Sequence, residues 1–279
     1  KKKRKKTIKS LWSNSRLKNL DNKNIKFNTA RDCSSLYLFY KYAWGKLNIK
    51  ARNALDIGCG SGIQMSLILD NKLTNFVDGI DFSSEAIESC NQFMKYCNHN
   101  KFNLKNIDFE VFRTEKKYGL ISAIQVLNYI ESLDFFFTKI NKIILNGGYL
   151  VISDGQKWNN LSYIQMIKSN NVIRKIFGYP YLSKKYPDSL GFPRKISDIS
   201  RIASKYNFEL INVIYKNTFI TRFLERVCFF LSKKSFRNKF LRIFLGIVYK
   251  CLSFIIFFEN FILCKLSLGG PYFCYFKKK

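Results

Sequence analysis

Between residues 34 and 215 the apolar positions of the chain alternate between helical and strand-like spacing. The run SSLYLFYKYAWGKL, residues 34–47, carries apolar side chains at helical intervals and predicts a helix. ALDI at 54–57 predicts a short buried strand, and 63–70 a helix. A second strand is expected over Asn75 to Ile80, ending in Asp81, then a helix from Ser84 to Tyr96 with Ser83 as its N-cap and Glu85 in its first turn. Ile107 to Phe112 is the expected third strand and Tyr118 to Gln125 the fourth. A helix over Leu133 to Ile144 follows, then the Asn146-Gly147-Gly148 turn and a strand from Tyr149 to Ser153. Further on, 195–206 predicts a helix, 208–215 a strand and 271–276 a last strand before a run of lysines. Strands alternating with helices imply a parallel sheet covered on both faces.

The first strand leads into Gly58, Gly60 and Gly62, three alternate glycines before a helix. Glycine permits the positive-φ turns that bring backbone close to a ligand, and ligands of open parallel sheets lie at this carboxyl edge. A dinucleotide loop places its third glycine one position later; here that place is Ile63. Asp81 closes the neighbouring strand, where a carboxylate can accept hydrogen bonds from a ribose diol. The pattern LDIGCGSG, the acidic end of GIDFSSEAI and the stretch YGLISAIQVLNYIESLDFFFTKINKIILNGGYLVISD together resemble the class I S-adenosylmethionine-dependent methyltransferases. The similarity runs over roughly residues 35 to 215 plus the final strand.

That resemblance implies a Rossmann-like α/β fold: a seven-stranded, mostly parallel sheet with an antiparallel last strand. It implies S-adenosyl-L-methionine as cofactor, with contacts at Asp56, Gly58, Cys59, Gly60, Gly62, Asp81 and Phe82. Some family features differ here. Gly119 stands where members usually carry Asp, and Asn128-Tyr129 stands where many carry an acid-histidine pair. No acid is recognised after the expected third strand for the adenine. The single histidine, His99, falls in the polar stretch CNHNK and is read as solvent-exposed, so a histidine base is excluded. The expected catalytic groups are Asp154 and Glu131, each following a strand, with Tyr129 as a hydrogen-bonding partner of the acceptor. For both acids the alternative is a cap or loop role.

Composition changes the picture in two ways. A formal charge of +29 favours an anionic partner, although a bias toward Lys, Asn, Ile and Phe produces the same charge without one. The eight cysteines include no CxxC pair, which excludes a zinc site of ordinary spacing and fits reduced thiols better than a disulfide scaffold; no metal site is expected. The start KKKRKK has no apolar run behind it, unlike a secretory signal, and reads as a solvated tail, with a nuclear signal or a phosphate-binding arm as alternatives.

Four regions follow: a basic tail over 1–30, the methyltransferase core over 31–217, an amphipathic helical insertion over 218–267, and the last strand with its basic end over 268–279. In the insertion, Lys239, Arg242, Gly246, Lys250, Ser253 and Asn260 share one helical face against a broad apolar remainder. Its longest uncharged run, Cys251 to Phe258, is too short to span a bilayer. Peripheral contact with an anionic membrane is expected there, with a lid over the acceptor pocket as the alternative. The aromatic and lysine-rich stretch from Gly155 to Arg194 is expected to shape the acceptor site. The resulting expectation is O-methylation of a small, sugar or lipid-linked acceptor at the cytoplasmic face of a membrane. The alternatives are an RNA methyltransferase, which the charge favours and the lack of a DPPY-like stretch disfavours, and a non-catalytic membrane-binding protein of this fold.

Overall fold

A computed structural model describes residues 35–154, 194–215 and 272–279. The expected basic tail over 1–30, the insertion over 218–267 and nearly all of the 155–194 stretch lie outside these residues.

The described elements are α1 (Ser35–Gly45), β1 (Ala54–Ile57), α2 (Ile63–Asp70), β2 (Val77–Asp81), α3 (Ser84–Tyr96), β3 (Phe102–Asn106) and β4 (Tyr118–Ile124). A 3-10 turn (Leu127–Tyr129), α4 (Leu133–Ile143), β5 (Ile144–Asp154), α5 (Ile196–Lys205), β6 (Phe208–Tyr215) and β7 (Tyr272–Lys278) follow. They form a seven-stranded sheet in the order β3-β2-β1-β4-β5-β7-β6. Strands β1 to β5 pair in parallel, and β7 runs antiparallel between β5 and β6. This is the expected Rossmann-like architecture, and the strand order reverses between β1 and β4.

Period-two alternation sends successive strand residues to opposite faces, so both faces carry a core. On one face Ile121 and Ile152 pack with Phe136, Phe137 and Ile140 of α4 and Ile199 of α5. On the other, Leu120 and Val151 pack with Trp44 of α1 and Met65 and Leu67 of α2. Trp44 stands edge-on to Phe273 of β7, ring centroids 5.2 Å apart, and its Nε1 donates to Gln64 Oε1 at 2.7 Å. These contacts bring α1 over the carboxyl end of the sheet. The caps follow sequence chemistry: Ser83 Oγ accepts from Ala86 N, and Ser132 Oγ accepts from Phe135 N.

Three expectations are corrected. The third strand is Phe102–Asn106, not residues 107–112. It is a half-exposed edge strand with Lys and Asn in alternation, a weaker apolar signal than the aromatic run after it. The Asn146-Gly147-Gly148 turn lies within β5, where Ile144 pairs with Tyr118 and Tyr149 with Leu120, an irregularity absorbing the extra residues at Gly147 (φ 74°). His99 is not solvent-exposed: its Nε2 lies 3.1 Å from Ser66 Oγ and 3.3 Å from Asp70 Oδ1.

Gly119 also has a packing reason. A Cβ there would stand 3.0 Å from the Ala51 methyl, so the aspartate usual at this place would have to displace the segment before β1.

Candidate active site

The carboxyl ends of β1, β2, β3 and β4 surround a cavity of about 420 Å³, within the size range of small-ligand sites. Its floor is the glycine turn. Gly58 holds φ 67°, and a Cβ there would sit 2.6 Å from Val126 Cγ2, so the turn and the β4 loop meet only because this residue has no side chain. Gly58 N and Cys59 N both donate to Ile80 O, Gly60 N to Asp81 Oδ2 at 3.0 Å, and Gly62 N to Cys59 O. The donors of these four residues are used within the protein. The glycines therefore offer a ligand close approach to the backbone rather than donors of their own.

Asp81 links the first two strand ends. Its Oδ1 accepts from Ser83 N at 2.9 Å while Oδ2 accepts from Gly60 N. The Phe82 amide also bonds this carboxylate, which keeps acceptor capacity for a ligand hydroxyl. Burial raises its pKa above the usual carboxylate value, against the pull of these backbone donors. Asp56 lies deeper, at 1% exposure: Oδ1 accepts from Ser122 Oγ at 2.5 Å and Oδ2 has no hydrogen-bond partner. Burial pushes its carboxyl up to about 7, with the charge of Asp81 adding to the effect. Two carboxyls held in this way under one cavity favour a positively charged occupant.

The side walls are apolar and aromatic: Ile80, Phe82, Ile107, Phe109, Val126 and Ile130. Cys59 also lines the cavity, but hydrogen bonding with Cys90, then burial, raises its pKa, leaving a thiol rather than a nucleophilic thiolate. The remaining side carries neutral hydrogen-bonding groups. Tyr40 from α1 lies 3.4 Å from Gln125 Nε2 and 3.5 Å from Ser153 Oγ, and burial pushes its phenol up to about 12. Gln125, directly after β4, holds a left-handed conformation, φ 59°, uncommon for a non-glycine residue and a frequent mark of functional sites. Tyr129, 40% exposed, completes this side.

Of the expected site residues, the cavity wall contains Gly58, Cys59, Gly60, Asp81, Phe82 and Tyr129; Asp56 lies behind it, and Gly62 starts α2 beside it. Asp154 and Glu131 are not among the wall residues. Asp154 is 3% exposed and takes hydrogen bonds from Asn128 N at 2.8 Å and from Asn128 Nδ2, which anchors the 3-10 turn. Glu131 is exposed, and its carbonyl accepts from Arg194 at 2.9 Å. The same guanidinium donates to Leu127 O and Ile130 O. Asp154 is the last residue of β5 rather than the residue after it, and its carboxylate is taken up by Asn128; Glu131 follows the 3-10 turn after β4.

Asp108 escapes the sequence reading because the third strand lies earlier than its pattern suggests. It follows β3 closely and lines the cavity, and its Oδ1 accepts from Glu110 N at 2.9 Å. An acid does therefore follow the third strand. Tyr40 and Gln125 carry no local motif; only their meeting in space marks them.

The profile of a family described as "Methyltransferase domain" matches residues 28–213. The chain belongs to this methyltransferase family. It is an S-adenosylmethionine-dependent enzyme, as the resemblance implied. Among curated relatives, a ubiquinone biosynthesis O-methyltransferase of Pelagibacter ubique is 26% identical over 196 residues, covering 63% of this chain and 76% of that protein. A malonyl-[acyl-carrier protein] O-methyltransferase of Ilyobacter polytropus is 26% identical over 183 residues, covering 66% of this chain and 62% of the relative. The cyclopropane synthase MmaA2 of Mycobacterium tuberculosis shares the fold at a TM-score of 0.55 with 16% identity, covering 86% of this methyltransferase and 83% of that chain.

The cavity fits the cofactor of the family. Apolar walls suit an adenine, the Asp81 carboxylate suits a ribose diol, and the buried carboxyls of Asp56 and Asp81 suit a molecule with cationic centres.

Proposed function

We propose that this methyltransferase O-methylates a small or carrier-linked acceptor presented at the cavity side formed by Tyr40, Gln125 and Tyr129. The two curated relatives described above are named as O-methyltransferases, one in ubiquinone biosynthesis and one acting on a malonyl-acyl carrier protein. The observation that carries the reading is Asp81, fixed between Gly60 N and Ser83 N at the cavity wall. In this reading Gly58, Gly60 and Gly62 shape the floor, Asp81 and Asp108 hold polar groups of the cofactor, and Phe82 packs against it. The cofactor supplies a methyl group on a sulfonium. Transfer would leave a neutral thioether, and a hydroxyl acceptor would lose its proton to water; the part of this chain is to position the acceptor oxygen, and positioning of this kind accounts for much of such a rate.

Tyr40 and Tyr129 hydrogen-bond the acceptor oxygen. Tyr40 remains a neutral phenol because its pKa lies near 12. Asp154 acts indirectly, by anchoring the turn that carries Tyr129. Calorimetric titration of the purified protein with S-adenosylmethionine, beside the Asp81→Ala variant, tests the core of this reading. Micromolar binding lost in a folded variant supports it; equal binding by both proteins removes Asp81 from the site.

We further propose that residues 218–267 dock the enzyme on an anionic membrane, so that a lipid-linked acceptor meets the cavity. Among the described residues no helix is long and apolar enough to cross a membrane. Support comes from the basic stripe and broad apolar face of the segment itself. Flotation with vesicles containing anionic lipid, with and without 218–267, decides the matter: flotation unchanged by the deletion rejects membrane docking.

A further inference from the structure

One ammonium outside the cavity gathers three carbonyls from the turn that forms one of its walls. Lys139, on α4, donates through Nζ to Phe109 O, to Glu110 O at 3.0 Å and to Phe112 O at 3.0 Å. The same ammonium stands 4.7 Å from the ring centroid of Phe109 and 5.5 Å from that of Phe135. An ammonium has three protons to donate, so these bonds use all of them on one short segment.

That segment runs from β3 towards β4 and is tied to β2 at one end and to α4 at its turn. Ile107 N donates to Asp81 O at 2.8 Å, and Asn106 Nδ2 reaches the same oxygen at 3.0 Å. The chain then turns at Asp108, whose carbonyl accepts from Val111 N and Phe112 N. Arg113 tightens the turn from within, donating to Glu110 O and Phe112 O. Lys139 is the hydrogen-bonding tie that reaches the turn from α4, beside the contact of the Phe109 and Phe136 rings. Ile107, Asp108, Phe109 and Glu110 of this segment all line the cavity.

The cation is held there at a cost. Burial and the neighbouring Arg113 pull its pKa down to about 8, against the opposing charges of Asp108 and Glu110. A half-buried lysine whose three protons all meet carbonyls of one turn is built to fix that turn, since each carbonyl would otherwise lose a charge-assisted bond.

We propose that Lys139 is a positioning residue for cofactor binding: by gathering three carbonyls of the 108–112 turn it holds Asp108 and Phe109 at the cavity wall. The proposal rests on the assignment of this cavity to S-adenosylmethionine. Lys139 itself is not a wall residue. Its effect passes through the fraction of molecules whose turn is correctly placed, and the apparent dissociation constant rises as that fraction falls.

Two measurements on the purified, ligand-free chain test it. Lys139→Met keeps the apolar stem and removes the donors; Lys139→Arg keeps a cation and its donors. Hydrogen exchange of amides 107–113 is expected to accelerate about tenfold or more in Lys139→Met and to stay near wild type in Lys139→Arg. Titration with S-adenosylhomocysteine is expected to show about tenfold weaker binding for Lys139→Met, with affinity restored in Lys139→Arg. Restoration by arginine is a result that lost packing alone would not give.

Unchanged exchange in Lys139→Met overturns the clamp, whatever happens to affinity. Faster exchange with unchanged affinity overturns its link to the cofactor. A folded wild-type protein that binds no S-adenosylhomocysteine overturns the cavity assignment, and the exchange data then report separately on the clamp. If Lys139→Met does not fold, Lys139→Gln, uncharged but still able to donate, takes its place and is expected to fall between wild type and the losses given for Lys139→Met.

Discussion

Replacing Asp56 by asparagine tests the electrostatics of the site without touching its wall. The carboxyl is buried, with Oδ1 bonded to Ser122 Oγ and Oδ2 unpartnered. Its pKa rises from the ordinary 3.8 to about 7. Below pH 4 the group is protonated in both folded and unfolded chains, so it exacts no ionisation cost. As pH rises from there to about 7, the unfolded chain ionises while the folded one retains its proton, and stability falls. Above that range the loss is complete. Each pH unit of this interval corresponds to about 1.4 kcal/mol, so the whole interval amounts to roughly 4 kcal/mol, an upper bound for a site that relaxes.

The amide introduced by Asp56→Asn does not titrate. Its nitrogen, placed at the unpartnered position, costs about 1–3 kcal/mol, but that cost is the same at every pH. Urea unfolding of both proteins at about pH 5 and about pH 7.5 therefore isolates the carboxyl. The stability of Asp56→Asn relative to wild type should improve by about 2–3 kcal/mol between the two conditions. A relative stability that stays constant within about 0.5 kcal/mol would refute the raised pKa and leave Asp56 ionised beneath the cavity at neutral pH.

Gly58→Ala places a methyl 2.6 Å from Val126 Cγ2 at a φ of 67°; a loss of about 1–3 kcal/mol in chemical denaturation and of S-adenosylmethionine binding in titration is expected. Asp154→Ala frees Asn128 N and Nδ2; faster hydrogen exchange over 125–131 and about 1–3 kcal/mol of lost stability are expected, with cofactor affinity close to wild type. Cofactor binding near pH 6 is expected to release protons from Asp56, seen as a binding enthalpy that depends on buffer ionisation enthalpy and loses that dependence in Asp56→Asn.

Where residues act through local pattern, the sequence is a sufficient guide. The alternate glycines, Asp81 at a strand end and Ser83 before a helix all fall where spacing places them. The error at the third strand has a physical cause. Residues 107–112 are apolar enough to read as a strand, yet Phe109 and Phe112 are buried because a turn folds toward α4 and is tied there by Lys139. Nothing local distinguishes that from strand burial, and the error conceals Asp108. Asp154 shows the complementary limit: the end of a strand places a residue near the cavity edge, but the bonds from Asn128 that claim its carboxylate are visible only in three dimensions. Tyr40 and Gln125 lie 85 positions apart, so their pairing is visible only in three dimensions.

The sheet order has a consequence for how the molecule is assembled. Strand β7 lies between β5 and β6, although more than fifty residues separate it from β6 in sequence. Strands β1 to β5 can pair among themselves while β6, already synthesised, has no neighbour on the sheet. Until β7 arrives, β5 presents an open edge and β6 is a stray apolar strand, a state prone to pairing with other chains. The glycine turn and Asp81 can thus be assembled without β7, whereas the wall carrying Tyr40 waits for Phe273 of β7, so a strand added late both closes the sheet and seats α1.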